Sequence, residues 1–441
     1  MEHHGSETLS YRGIFVFWAP LAATWLMMSL EGPFLAAVVA RLPEPKLNLA
    51  AFGVAFSVAL VLEAPVIMLM AATTALVRDA GSYRRVRRFS YGLSVAVSVL
   101  MVAALIPPAF RWIARGALSL PPEVAKLTHG ALVLLLPWPG VIGYRRFYQG
   151  VLIRRHRTRH VGYGTAVRLA GMAASAAALV PTGWPGAWVG AGALSSGVVA
   201  EAVAVRWMAR GSVREVRNTP AGADRLPGYR EIAAFYAPLA LSSLLLLAVH
   251  PTITFFLARA RAPVESLAVF PVVRGLVFLF SCLGLSYQEV GIALLGDQGE
   301  GFRPLARFAA VLAGITSTAL ALVAFTPLCD VWFRTVSGLS PELARFARLP
   351  ARILAVVPAL TVGLSFLRAL FMRAGMTRPI IAATAADVLT LAACLALGIG
   401  PAGWIGAVAG AAALDAGRAV SFACLTASAW RRLRSSWGPA R

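Results

Sequence analysis

Apolar residues in this chain come in long runs separated by short, charged breaks. Twelve runs, near residues 12–40, 48–78, 86–110, 126–153, 160–181, 186–208, 230–258, 265–295, 304–333, 344–372, 379–398 and 402–430, are each about 20 residues or more, the length needed to cross the hydrocarbon of a bilayer as a helix. The one long polar connection, 209–228, carries Gly, Pro and several charges. The pattern predicts an all-α, multi-pass membrane protein of twelve spans, six on either side of that connection.

The two sides repeat one another. Setting Tyr11 beside Tyr229 aligns YRGIFVFWAPLA with YREIAAFYAPLA. The same offset of 218 carries Pro33 onto Pro251, Ala40 and Arg41 onto Ala258 and Arg259, and Leu49, Ala50 and Phe52 onto Leu267, Ala268 and Phe270. It continues through Ala75, Leu76, Asp79 and Gly81 onto Ala293, Leu294, Asp297 and Gly299. With one inserted residue Arg88, Phe89, Pro139, Arg154, Thr158 and Arg159 meet Arg307, Phe308, Pro358, Arg373, Thr377 and Arg378. In the last span, Trp188 and Gly190 are set on Trp404 and Gly406. Six is even, so both repeats start on the same side, and the repeat is parallel, about an axis along the membrane normal. The expected organisation is an N-terminal six-helix lobe over 1–210, a cytoplasmic linker over 211–228 and a C-terminal six-helix lobe over 229–441.

Composition agrees with a membrane protein: 59% of residues are hydrophobic and 14% are charged. Forty-one Lys and Arg against 19 Asp and Glu give a formal charge of +22, and only Lys46 and Lys126 are lysine. In a soluble protein this balance would suggest nucleic acid as partner, but here the basic residues punctuate spanning runs, so no nucleic acid is expected. With the amino terminus inside, roughly 24 basic residues gather at cytoplasmic ends and roughly 11 outside, which predicts both termini in the cytoplasm. The clusters Arg84, Arg85, Arg87, Arg88, Arg154, Arg155, Arg157 and Arg159 are then topological charge that also attracts anionic lipid headgroups. Cys282, Cys329, Cys394 and Cys424 lack metal-ligand spacing and read as small apolar residues. Residues 1–10 lead directly into the first run with no short apolar core or cleavage site, so the first helix is expected to be retained.

Charges left inside the spans carry the functional signal, because an ionisable group at mid-membrane costs about 2.5 to 3.5 kcal/mol unless paired or wetted. Glu63, Arg168 and Asp387 fall near the centres of spans 2, 5 and 11. Arg168 and Asp387 occupy the same repeat position, each following a matched threonine (Thr165, Thr384). They either form one salt bridge between lobes or pair each within its own lobe. In span 4, Pro137, Pro139, Gly140 and Gly143 predict a kink, with Arg145 and Arg146 a turn or so beyond. Adjacent residues point about 100° apart on a helix, so one of these arginines faces a cavity while the other snorkels, or both snorkel. Gln149 lies on the same helix, and Arg368 lies beyond Pro358 in span 10. Span 1 carries Glu31 in Glu31-Gly32-Pro33, and span 7 answers with His250-Pro251, His250 being either a proton switch or a packing residue. Arg274 and Glu289 of span 8 complete the set, beside Tyr287 and Gln288. Asp415 and Arg418, spaced i, i+3, are read as neutralising each other and fall outside the site.

No phosphate loop, nucleophile constellation or metal-ligand set occurs in the sequence, so neither catalytic residues, metal nor cofactor is expected, and the chain reads as a transporter and not an enzyme. Twelve spans in a parallel six-plus-six repeat with a basic linker resemble the multidrug/oligosaccharidyl-lipid/polysaccharide (MATE-like) exporter superfamily, whose two six-helix bundles face each other in a V. Within it FWAPL (Phe17–Leu21), LAAFGVAFSVA (Leu49–Ala59) and Pro65 look like the progressive ankylosis family, associated with export of pyrophosphate or ATP and of organic anions such as citrate. The resemblance implies alternating access with substrate bound between lobes. Arginine suits bidentate recognition of phosphate and carboxylate, so the expectation is a monomeric exporter in a bacterial-type inner membrane moving an anionic small molecule. Arg145, Arg146, Arg168, Arg274, Arg368 and Gln149 would bind it, and Glu31, Glu63, Asp387, His250 and Glu289 would couple or gate, with a proton or sodium ion as coupling ion. The alternatives are proton- or sodium-coupled efflux of organic cations through the acids, and flipping of a lipid-linked anionic precursor.

Overall fold

The computed structural model describes residues 10–220, 228–295, 301–374, 376 and 378–436. The elements are helical throughout, and eleven of the described helical segments are long and apolar enough to cross a membrane. In the first repeat these are α1 (Tyr11–Ala40), α2 (Pro45–Leu76), α3 (Ala80–Leu105), α4 (Pro122–Arg154), α5 (Arg159–Thr182) and α6 (Gly186–Met208). In the second, α7 runs as Tyr229–Leu247 and Val249–Leu257. It is followed by α8 (Pro263–Leu294), α9 (Phe302–Phe325), α10 (Pro341–Arg373), α11 (Arg378–Ile399) and α12 (Gly406–Ser436).

Proline marks several starts and breaks, while Pro20, Pro238, Pro271 and Pro350 lie inside continuous helical segments. α2, α4, α8 and α10 each begin with a proline in the first helical turn, where its missing N–H is not needed. α1 is interrupted at Leu30, between Ser29 and Glu31, just ahead of Pro33. α7 is interrupted at the equivalent Ala248, ahead of Pro251. α4 breaks between Leu134 and Trp138, at the Pro137 predicted to kink it, and α10 tightens into one narrow turn over Leu354–Val356 before Pro358. α2 breaks at Met68, three residues beyond Pro65. α8 carries Leu283 where α2 has Pro65 and runs unbroken, with Pro271 inside it.

The chain divides into two compact units, 35–259 and 1–34 with 260–441. The unit boundaries differ from those of the repeats because each repeat's first helix packs on the other repeat. In one unit Trp18 of α1 donates its indole N–H to the Leu283 carbonyl (3.2 Å) and to Ser286 Oγ (2.9 Å) of α8. In the other, Tyr236, the repeat partner of Trp18, donates to the carbonyl of Pro65 in α2 (2.5 Å). Buried Ile14 joins Tyr287, Val290, Leu305 and Val362, while its partner Ile232 joins Tyr83, Phe147, Val151 and Val205.

The linker opens as a helix, Arg210–Asn218, with Ser212, Val213 and Val216 buried and its arginines outward. It is tied down by Arg157 to Glu215 and by Arg155 to Thr219 Oγ1 (3.0 Å). The remainder of the expected linker, 221–227, lies outside the described residues.

Equivalent side chains also correct the alignment of the last spans. Asn48 Oδ1 accepts from the Ala187 N–H at the start of α6 (2.9 Å), and Ser266 Oγ, at the matching position of α8, accepts from Ala407 at the start of α12 (3.1 Å). Gly186 therefore corresponds to Gly406, one helical turn away from the Gly190–Gly406 match suggested by the tryptophans. The tryptophan match fails because this N-terminal anchor, not the aromatic ring, fixes where each last helix begins.

Within each unit the second and fourth helices of a repeat cross closely, and one small residue per contact makes this possible. A Cβ on Gly143 of α4 would lie 3.3 Å from Val66 Cβ of α2, and one on Gly150 would lie 2.6 Å from the Met70 carbonyl and from Thr73 Cβ. In the second repeat the glycines are on the other helix. Gly284 of α8 faces Val362 of α10, whose backbone N would be 2.9 Å from a new Cβ, and Gly291 faces Ala369 at 2.7 Å. Close backbone approach through small residues is how membrane helices gain packing where no hydrophobic effect drives them together. Gly284→Val is expected to lower stability by about 1–3 kcal/mol through overpacking. Adding Val362→Gly, which copies the first repeat's arrangement, should recover most of the loss, as read from thermal unfolding of purified protein in detergent.

Candidate functional site

The first-repeat unit buries a compact group of charges around Glu201, a residue that the sequence pattern did not bring forward. Arg145 and Gln149 lie one turn apart on α4 and both donate to the Glu201 carboxylate from α6, Arg145 to Oε2 and Gln149 Nε2 to Oε1 at 3.1 Å. Arg168 approaches the same Oε2 from α5, at 3.6 Å. Glu201 is 1% exposed and Arg145 and Gln149 3% each, so this carboxylate is the counter-charge that lets arginine sit inside the bundle. Gly164 of α5 fits against Glu201, where a Cβ would lie 3.4 Å from its Cγ.

Arg146 turns the other way. Its Nη1 lies 3.7 Å from Met70 Sδ on α2, and it is close enough to Glu63 and Arg145 to feel both charges. Glu63 is buried and accepts a hydrogen bond from the Trp138 indole at the start of the second segment of α4 (2.5 Å). Neither arginine of the pair follows the snorkelling expectation: Arg145 is bonded to a buried acid, and Arg146 lies between Met70 and the charge of Glu63. The group contains the guanidiniums of Arg145, Arg146 and Arg168 against the carboxylates of Glu63 and Glu201. The Nε atoms of Arg145 and Arg146 and Oε1 of Gln149 are buried without a hydrogen-bond partner. Nearby, Arg206 of α6 lies over the Tyr148 ring, 5.0 Å from its centre.

The second-repeat unit holds a smaller group of reversed polarity. Asp387 of α11 pairs with Arg418 of α12 at 3.3 Å, and Arg368 of α10 lies within electrostatic reach of both. Arg274 of α8 lies within reach of Arg418. Arg168 thus pairs with Glu201 and Asp387 with Arg418, each inside its own unit. The proposed i, i+3 pairing of Arg418 with Asp415 is not found: Arg418 turns to Asp387, and Asp415 Oδ1 is buried without a hydrogen bond. The crossing that positions these pairs is conserved between repeats. Gly197 of α6 lies against the Arg168 carbonyl and Gly417 of α12 against the Asp387 carbonyl, a Cβ meeting either oxygen at 2.8 Å.

Glu31 is buried at the break in α1. His250 sits at the matching break of α7, its carbonyl accepting from Thr254 Oγ1 at 3.1 Å. Glu289 is exposed, Tyr287 is committed to the Leu305 carbonyl (2.7 Å), and Gln288 reaches only Met372 Sδ (3.6 Å). Glu201 gave little sign of itself: it stands toward the far end of span 6, where an acid reads as a boundary charge. Its signal was to be the lone acid of an apolar helix that also carries Arg206. Among the described residues no group of three or more His, Cys, Asp or Glu is placed to hold a metal ion.

No protein-family profile matches the chain, and no curated relative does. Solved structures do resemble it. An inward-facing multidrug-resistance MATE transporter of the MOP superfamily superposes with a TM-score of 0.76 at 15% identity, covering 95% of this chain and 96% of its own. The lipid II flippase MurJ in an inward closed conformation gives 0.69 at 10% identity, over 94% and 87%. A MOP-superfamily transporter from Pyrococcus furiosus, described by the reversed polarity of its binding pocket, gives 0.61 at 14% identity, over 97% and 98%. The chain thus has the twelve-helix, two-bundle fold of MOP-superfamily transporters and is a multi-pass integral membrane protein. The progressive ankylosis likeness has no counterpart among these structures.

Removing one partner of a buried ion pair leaves an uncompensated charge and costs about 3–5 kcal/mol. Asp387→Arg alone is therefore expected to destabilise the protein strongly. Asp387→Arg with Arg418→Glu, which gives the second repeat the polarity of the first, should recover much of that loss in a double-mutant thermal-unfolding cycle.

Proposed function

We propose that this protein is a secondary transporter working by alternating access, and that its substrate is an anionic small molecule bearing phosphate or carboxylate groups. The observation that carries the reading is the buried first-repeat group, in which Arg145, Arg146 and Arg168 outnumber Glu63 and Glu201 and the Nε donors of Arg145 and Arg146 are buried without partners. Burying guanidiniums is costly, and their planar fork suits bidentate contact with phosphate or carboxylate. The fold supports alternating access by its likeness to transporters. The reversed pocket polarity described for the Pyrococcus furiosus protein is consistent with variation of charge sign on this fold. Organic-cation efflux through the acids is less well supported, because Glu63 is engaged by Trp138 and Asp387 by Arg418. A second reading, flipping of a lipid-linked anionic precursor, draws on the likeness to the lipid II flippase and uses the same arginines. Transport is taken to be coupled to a proton or sodium ion, in a monomer with both termini cytoplasmic.

In proteoliposomes loaded with pyrophosphate or citrate, wild-type protein is expected to move at least one of the two. Arg146→Ala and Arg168→Ala should each reduce that flux about tenfold or more, the equivalent of losing one charged hydrogen bond. Unchanged anion flux in both variants, or a pH-dependent drug efflux abolished by Glu63→Gln, would replace the anion reading with the cation one. Flux of a fluorescent lipid pyrophosphate without flux of either free anion would select the flippase.

A further inference from the structure

Glu201 offers to Arg145, Gln149 and Arg168 the group that a carboxylate or phosphate substrate would offer: an anionic oxygen pair reached from α4 and α5 together. We propose that Glu201 is a tethered substitute for the substrate anion, occupying the guanidinium face in this conformation and yielding it when the anion binds. The inference rests on the anion-transport reading above and assigns the residue against which the substrate competes.

Two further observations favour exchange over simple bracing. First, the face is not saturated. A guanidinium has five N–H donors, yet the Nε of Arg145 is buried with no hydrogen-bond partner. A phosphate, with more acceptor oxygens than a carboxylate, can engage donors that Glu201 leaves idle. Second, the crossing does not depend on these particular residues. Counting from Gly186 and Gly406, the second repeat carries Ser421 where the first has Glu201, and counting from Pro139 and Pro358 it carries Leu364 where the first has Arg145. Both replacements are buried, and the same crossing closes around Gly417 without them. The crossing is thus compatible with other residues at the positions of Glu201 and Arg145, the second repeat placing its own ion pair on Asp387 and Arg418.

A resident carboxylate serves the empty transporter in two ways. It compensates arginines that would otherwise stand as isolated buried charges, and it lowers the apparent affinity for the anion by the fraction of molecules in which the face is occupied, so that bound anion can be released again.

The test is thermal unfolding of the purified full-length protein in detergent, titrated with pyrophosphate and, separately, citrate, since a ligand that binds the folded state raises its midpoint in proportion to affinity. Glu201→Gln is expected to unfold at lower temperature than wild type without anion and to regain the difference as anion is added, with an apparent Kd about tenfold tighter or better. Glu201→Asp, whose carboxylate is withdrawn by one methylene, should shift affinity in the same direction by less, and it provides the reading if the glutamine variant does not fold. If wild type binds an anion and neither variant binds it more tightly, Glu201 is a structural counter-ion and the inference is overturned while the anion reading stands. If wild type and both variants bind neither anion, the anion reading fails and this inference with it.

Discussion

A guanidinium inside an apolar helix bundle has to be paired or wetted, because lipid tails do not stabilise the charge. Much of the internal arrangement of the first unit follows from that constraint. Arg145 and Gln149 require Glu201 to face α4, which fixes the rotation of α6, and Arg168 requires α5 to come close on the opposite flank, which Gly164 and Gly197 permit. The second unit meets the same constraint with the signs exchanged, through Asp387 and Arg418. Opposite charges can stand at equivalent positions because the supporting contact, a glycine of the last helix against the carbonyl of the charged residue, is indifferent to sign.

The same division between backbone geometry and side-chain chemistry runs through the repeat. Anchors to the starts of α6 and α12 use Asn48 in one repeat and Ser266 in the other; close crossings use glycine on α4 in one and on α8 in the other. In each case the two repeats keep the distance between helices and change which residue provides it. Identical residues are consequently a poorer guide to equivalence than equivalent contacts, as the tryptophans of the last spans illustrate.

Much of the fold was legible in the sequence because bilayer crossing imposes length and apolarity on every helix, and proline announces its effects locally. The breaks beside Pro33, Pro137 and Pro251 each coincide with a single residue. Part of the site was legible for a similar reason: Glu63, Arg145, Arg168 and Asp387 are conspicuous against apolar surroundings. Partners were not legible. Whether Arg418 turns to Asp415 on its own helix or to Asp387 on the next depends on the rotation of two helices about their axes, which no local pattern encodes. The exchange of first helices was invisible for a related reason, since an apolar helix carries the same hydropathy whichever bundle it joins.

That exchange bears on how such a chain arises. Trp18 and Ile14 are seated on the second repeat, and Tyr236 and Ile232 on the first, so neither repeat by itself carries the helix that fills its own unit. A single-repeat chain with this packing would be complete only as a pair, each copy lending its opening helix to the other. Fusion of two such copies turns a reciprocal loan between molecules into ordinary intramolecular packing. It also frees the halves to diverge in charge, as the opposite signs of Arg168 and Asp387 record.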